Sequence, residues 1–300
     1  MKISKVDWDN DEIVNSISDL LNDSFETIDS SFFTKDFLRW KHRDNPFGES
    51  ISYIATDESS KLVGLRTFLK WRFINNENGY SAYQPVDTAT SPRARGRGVF
   101  SLLTKSVLLE TKDKIIFNRP NKNSFPGYIK MGWKYNGNIR FGIIPRFFLR
   151  SNYKVSGIEL TECFFKKNKF IKFYSDKLQT DKTSDFLIWR FINIPNMKYK
   201  LFHVDDNLSF IYKVRSRSRL NELLICDFFS SKDYIENKLG FLFKLQSLLV
   251  SEKCHYSVVC FKDIPDGFSS FFLKVPFKKM KLVSKTDNDF IFTLTDVEVF

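Results

Sequence analysis

Cysteine is scarce in this chain. Four occur in 300 residues, Cys163, Cys226, Cys254 and Cys260, and no two of them stand in a C-x-x-C spacing. A disulfide-stapled scaffold is excluded, and free thiols in a reducing cytosol are expected. Cys254, His255 and Cys260 read as part of a strand with two buried thiols, so no metal is expected. Long apolar runs are lacking too. No stretch approaches the roughly 18 apolar residues of a membrane helix, so no membrane partner is expected. The opening "MKISKVDWDNDE" is polar and acidic, unlike a signal peptide, so the expected location is the cytoplasm. Acidic residues are the minority charge, 35 against 47 Lys and Arg, for a net charge of +12. That excess favours an anionic partner: nucleic acid, a nucleotide, coenzyme A or a membrane surface. It does not choose among them.

What is present is core material. Hydrophobic residues make up 42% and Phe alone supplies 33 positions. The length allows one large domain or two of about 150 residues. Ile13, Val14, Ile17, Leu20, Leu21 and Phe25 recur at helical spacing, which predicts a helix over about 10–27. "SYIATD" (52–57) and "LVGLRTFLKWRF" (62–73) predict two strands joined by a turn near Glu58–Lys61, and "GYSAYQPVDTAT" (79–90) a third. "GVFSLLTKSVLLETK" (98–112) reads as a helix and "KIIFN" (114–118) as a short buried strand. "NSFPGYIKMGWKY" (123–135) reads as a short helix closed by Gly132. This order predicts a mixed α/β sheet.

The chain also resembles itself. "DFLRWKHRDNP" (36–46) and "DFLIWRFINIP" (185–195) carry Asp, Phe, Leu, Trp, a basic residue and Pro at the same offsets, 185 − 36 = 149 residues apart. "PVDTAT" (85–90) parallels "ICDFFS" (225–230), and "YIKMGWK" (128–134) parallels "FLKVPFK" (272–278). Three matches in one order predict a duplication, and a repeat this long means two copies of one domain. The boundary is expected within "RSNYKVSGIELTE", dividing the chain into 1–155 and 156–300.

The stretch "VDTATSPRARGRGVF" (86–100) packs Arg93, Arg95 and Arg97 around Gly96 and Gly98 where a strand hands over to a helix. Glycine admits a close backbone approach, and the free amides of a helix's first turn attract an anion. Arg93-x-x-Gly96-x-Gly98 in this context resembles the acyl-CoA signature of the GNAT superfamily of N-acetyltransferases. Asn121, seven residues before Tyr128 in "Tyr128-Ile-Lys130-Met-Gly132-Trp133", resembles that family's later segment.

The resemblance implies that acyl-CoA lies in a V-shaped gap between two splayed parallel strands, 84–90 and 114–118. The backbone of Thr88, Ala89 and Thr90 would face the pantetheine arm. Amides from about Arg95 to Phe100, with Arg93, Arg97 and Val99, would hold the pyrophosphate. Asn118, Asn121 and Ser124 complete the implied cofactor set. An acceptor amine would attack the thioester directly, with a strand amide near Thr88 donating to the oxyanion. Tyr128 occupies the family's general-acid position. Asp87 is the base candidate, the one acid between Gly79 and Pro92, yet strand alternation turns it away from Val86 and Thr88 unless a bulge intervenes. Gln84 cannot act as a base, and His42 is an alternative.

In the second copy, setting Asp227 on Asp87 puts Asp233, Glu236 and Lys238 at the positions of Arg93, Gly96 and Gly98, and the third match sets Phe272 on Tyr128 and Pro276 on Gly132. That half is expected to keep the fold without the acyl-CoA motif. The expected whole is two tandem GNAT-like α/β domains, each a mixed, mostly antiparallel sheet flanked by helices. The expected activity is acylation of the amine of a nucleotide-linked amino sugar in bacterial surface-polysaccharide synthesis, with an antibiotic or other small amine as the alternative acceptor. The alternating Lys213, Arg215, Arg217 and Arg219 would align four cations on one strand face. A basic nucleic-acid-binding protein is the alternative of a different class. It would need exposed aromatics among its cations, and most aromatics here fall in apolar periodic runs.

Overall fold

A computed structural model describes residues 1–25, 32–76, 78–122, 124–147, 155–167, 177–230, 238–261 and 272–297. The first part runs β1 (Lys2–Lys5), α1 (Asp11–Ser24), α2 (Lys35–His42), β2 (Ile51–Thr56), β3 (Leu62–Asn75), β4 (Asn78–Thr90), α3 (Val99–Glu110), β5 (Ile115–Asn118), α4 (Phe125–Lys130) and β6 (Lys134–Pro145). The second runs β7 (Ile158–Glu159), α5 (Glu162–Lys167), β8 (Leu178–Thr180), α6 (Ser184–Phe191), β9 (Lys200–His203), β10 (Leu208–Arg217), β11 (Leu220–Ser230), α7 (Lys238–Ser251), β12 (Tyr256–Phe261), β13 (Leu273–Ser284), β14 (Phe290–Ile291) and α8 (Leu294–Val297). The α/β character and the mixed sheet agree with the sequence reading, as does each element read between 10 and 135.

Local chemistry explains the helix starts. Asn10 caps α1 by accepting from the amides of Glu12 and Ile13, and Asp11 and Glu12 complement the helix dipole. Thr34 caps α2 by accepting from Phe37 N at 3.2 Å. Thr183, 149 residues later, caps α6 by accepting from Phe186 N at 3.2 Å. Between these helices the contact is reciprocal. Trp40 Nε1 donates to the Trp189 carbonyl at 2.8 Å, and Trp189 Nε1 donates to the Trp40 carbonyl at 2.7 Å. The two indoles stack with centroids 4.8 Å apart. Exchange of the same contact in both directions is the signature of a two-fold relation.

The sheet repeats that symmetry. Its main path is β1-β2-β3-β4-β5-β13-β6-β12-β11-β10-β9-β7. β4 pairs parallel with β5, and β11 pairs parallel with β12. Between these pairs the strands of the two halves alternate: β13 lies against β5, and β6 lies between β13 and β12. α1, α2 and α6 cover one large core that includes Trp40, Trp71, Phe117 and Phe186. α7 packs on a second core against β10 and β11.

Two sequence expectations are corrected here. "YIKMGWK" belongs to α4 and the turn after it, whereas "FLKVPFK" opens β13, so Phe272 is no counterpart of Tyr128, nor Pro276 of Gly132. Both stretches place apolar side chains around a lysine, a pattern that helix and strand ends share. The strand that answers β13 by position is β6, also of twelve residues. The basic stripe is also shorter than expected. β10 ends at Arg217, and Arg219 lies in the turn where Ser218 takes φ +53°. Arg215 and Arg217 both face the buried Glu222, at 2.6 and 3.4 Å. Asp233 and Glu236 lie outside the described residues. Lys238 opens α7.

Candidate active site

β4 and β5 pair through Ala82↔Ile115 and Tyr83↔Ile116 and then part. Phe117 and Asn118 continue with β13, while β4 continues from Gln84 to Thr90 against β3 alone. Among the described residues no strand pairs with the edge of β4 that faces β5 over that stretch, so its peptide groups can receive another extended chain.

A bulge shapes that edge. Leu65 pairs with Ala89 and Thr67 with Val86, so Arg66 faces two residues, Asp87 and Thr88. Asp87 absorbs the extra residue with φ +42°. A bulge is present, yet it does not bring Asp87 to the side of Thr88, because it turns the carboxylate towards α2. There Lys41 Nζ lies 2.6 Å and His42 Nε2 2.9 Å from Asp87 Oδ2. His42 Nδ1 meets Ser50 Oγ at 3.0 Å, and its ring stacks on Trp8 with centroids 4.6 Å apart. Burial opposes charge on Asp87, but Lys41 and His42 outweigh it and hold the carboxyl well below the usual carboxylate range. Burial pushes Lys41 down to about 8 and lowers His42 as well. Asp87 is thus an ion-paired anion, a weak proton acceptor by itself. Gln84 is buried and pairs in register with Leu69.

Beyond Thr90 the chain makes a short 3-10 turn, Pro92–Ala94, and reaches Gly96 and Gly98, which take φ +75° and +74°. A Cβ at either would meet nothing within 4 Å. Handedness, and not crowding, demands glycine at both positions. Gly98 stands at the N-cap of α3 and supplies no side chain to it, and the first turn of α3 holds no acid. The amides of Val99, Phe100 and Ser101 therefore lack intrahelical acceptors and end in a positive dipole. Arg95 and Arg97 are exposed and form no ion pair among the described residues, while Arg93 stands 3.8 Å from Asp57. α3 is seated by Gly64 of β3, where an added Cβ would come within 2.6 Å of Val99. The result is a cationic cradle at the open end of the gap.

Tyr128 comes from the other side of the gap, on α4. It is buried, with its ring edge-on to Trp133 at 4.6 Å. Its hydroxyl accepts from Arg66 Nη2 at a long 3.4 Å, and among the described residues its own proton has no acceptor. Thr88 Oγ1 accepts from Arg66 Nη1 at 2.6 Å. The structure thus gathers Thr88, Tyr128 and the glycine cradle around one gap. Asn121 and Ser124 are occupied locally. Asn121 Oδ1 accepts from the Ser124 amide at 2.8 Å and from its hydroxyl at 3.0 Å, shaping the start of α4. Asn118 Oδ1 accepts from Arg119 N at 2.8 Å. Arg66 is absent from the sequence-derived set. A lone arginine within the apolar "LVGLRTFLKW" was the available signal. Among the described residues no group of three or more His, Cys, Asp or Glu could hold a metal ion, and no helix is long and apolar enough to cross a membrane.

Residues 9–136 match the family model of the acetyltransferase (GNAT) domain. No curated protein matches the chain in sequence. Solved structures share its fold at low identity. A probable N-acyltransferase from Enterococcus faecalis V583 superposes with a TM-score of 0.63 at 13% identity, covering 94% of this chain and 72% of that one. A GCN5-related N-acetyltransferase from Anabaena variabilis gives 0.62 at 12%, with coverage of 94% and 72%. N-myristoyltransferase from Saccharomyces cerevisiae, with bound myristoyl-CoA, gives 0.59 at 11%, with coverage of 94% and 82%. The gap just described lies within the stretch that matches the GNAT acetyltransferase domain model, and the solved structures share the fold of the chain.

Proposed function

We propose that this chain is an acyl-CoA-dependent N-acyltransferase with one working site, in residues 1–155, and a second GNAT-like copy in 156–300 that keeps the fold without the chemistry. The observation that carries the reading is the cradle: an uncapped helix start, two left-handed glycines, and Arg95 and Arg97, which form no ion pair among the described residues, all at the mouth of the β4/β5 gap. It suits a diphosphate, and the free edge of β4 beyond it suits the amide-bearing pantetheine arm. The acyl carbonyl then reaches the bulge, where an amide near Thr88 can donate to the developing oxyanion. An acceptor amine attacks the thioester directly, and Tyr128 gives its uncommitted proton to the departing sulfur. Asp87 acts with His42, its hydrogen-bonded neighbour, as the acceptor-side polar pair, because Asp87 alone is held too acidic to serve as a base.

For the acceptor, we put the amine of a nucleotide-linked amino sugar first, the substrate of a polysaccharide-building step. The chain's excess of twelve cations favours a second diphosphate besides that of CoA. Pairing of Arg215 and Arg217 with Glu222 narrows the anchoring groups, and a smaller amine is the alternative. Thiol release over a matrix of acyl-CoAs and amines tests the activity. Comparing a nucleotide-linked amino sugar with the same free sugar tests the acceptor. A diphosphate anchor raises kcat/KM for the linked form tenfold or more, about 1.4 kcal/mol. Equal values overturn it in favour of the small amine, and absence of thiol release with every pair overturns the acyltransferase reading.

A further inference from the structure

Proton transfer to the leaving sulfur poses a problem that the general-acid role of Tyr128 does not solve by itself. A phenol of pKa ~10 is a weaker acid than a thiol of pKa ~8.5, so in water the proton moves uphill. The charge left on the phenol oxygen needs a counter-charge that nothing else already neutralises. Arg66 supplies the conditions for one. It is only 2% exposed, yet no acidic side chain pairs with it among the described residues, and its Nε has no hydrogen-bond partner. A buried cation without an anion is costly, and a fold that keeps one is holding it for charge that arrives later. Its guanidinium is aimed by contacts on every side. Nη1 is fixed on Thr88 Oγ1 at 2.6 Å, and the group lies over the rings of Phe68 and Phe100, 5.0 and 4.9 Å from their centroids. Nη2 then faces the Tyr128 hydroxyl at 3.4 Å.

The second half provides an internal control. There Ile211 pairs with Asp227, the residue that matches Asp87 in the repeat, and Tyr212 pairs with Ile225, which leaves Cys226 as the extra residue of a bulge one position earlier. A bulge thus forms in that half opposite two uncharged residues, so building one does not require an arginine.

We propose that Arg66 is a positioning residue for acyl transfer, the counter-charge for the phenolate formed on Tyr128. The inference rests on the general-acid role of Tyr128. In the step, the amine lone pair forms the C–N bond and the C–S bond breaks, its electron pair going to sulfur. Sulfur takes the phenolic proton, and the phenolate faces Arg66. The surplus proton on the product nitrogen passes to water, and Tyr128 regains one from solvent when the free thiol departs.

The test is a double-mutant cycle of Arg66→Met and Tyr128→Phe in the full chain, read by thiol release, with CoA affinity from calorimetry. Arg66→Met keeps the length of the side chain between its two rings and removes the charge. It lowers kcat roughly 10- to 100-fold, the range of a hydrogen bond to a charged group, with KM for acyl-CoA nearly unchanged. In the Tyr128→Phe background its effect disappears, and Arg66→Lys restores part of the rate. A wild-type kcat in Arg66→Met, a loss confined to KM, or the same fold loss with and without the phenol overturns the role of Arg66. Tyr128→Phe at the wild-type rate, with chemistry rate-limiting, overturns the general-acid reading itself, so the two failures are distinct. If Arg66→Met does not fold, Arg66→Gln and Arg66→Lys run the same cycle under the same criteria.

Discussion

At the scale of single residues, the bulge at Asp87 decides the most. One extra residue on β4 sends a carboxylate to the α2 face and leaves Thr88 and Arg66 on the other. The ion pair it makes is buried, so its weight in stability depends on pH. The folded state depresses the Asp87 carboxyl, so the stabilisation is complete above the unfolded value of about 3.9 and declines as pH falls below it towards the folded value. Asp87→Asn leaves Lys41 buried without its anion and is expected to destabilise by about 3–5 kcal/mol at pH 7. The gap in Tm between wild type and Asp87→Asn should narrow below about pH 4, and Asp87→Asn with Lys41→Met should recover part of the loss. A gap that stays constant from pH 7 to pH 3 would contradict the ion pair.

At the scale of elements, α3 matters through its first turn more than through its length. Gly64 lets it sit close on β3, and Gly98 lets the chain enter it with left-handed backbone. Both Gly98→Asn and Gly98→Asp bear the cost of a side chain at positive φ, about 1 kcal/mol, lessened because Asn and Asp tolerate that region. They differ in charge. Calorimetry should show CoA affinity reduced in both, and at least tenfold weaker in Gly98→Asp than in Gly98→Asn, since only the aspartate repels phosphate. Equal affinities would mean that phosphate binds elsewhere.

At the scale of the molecule, the two halves of the sequence are woven together at the centre of the sheet. β13, near the end of the chain, lies between β5 and β6, and β6 in turn lies between β13 and β12. The Trp40–Trp189 exchange ties the helical layer across the same axis. A fragment ending at residue 155 would leave β5 and β6 with bare hydrogen-bonding edges. Expressed alone, 1–155 should aggregate or melt without a cooperative transition by circular dichroism, and co-expression with 156–300 should restore both a single transition and thiol release. A soluble, cooperatively folding 1–155 would show that the first half does not need the weave.

The sequence alone determined the strand-to-helix glycines, the short helix carrying Tyr128, the helical and strand periods up to residue 135 and the 149-residue echo of one helix in another. Each of these is written in neighbouring residues, through backbone handedness, capping chemistry and the spacing of apolar side chains. Tertiary structure alone decided which strand stands between β5 and β6, because pairing joins residues as far apart as Phe117 and Ser284 and leaves no local trace. The apolar-lysine pattern of "FLKVPFK" misled for the same reason: seven residues serve a helix end or a strand start, and only the partners settle which. Arg66 shows the limit most clearly. In sequence it is one cation in an apolar strand, and its meaning comes from Thr88, 22 residues away, and Tyr128, 62 residues away, brought to it by the bulge and the parting of two strands.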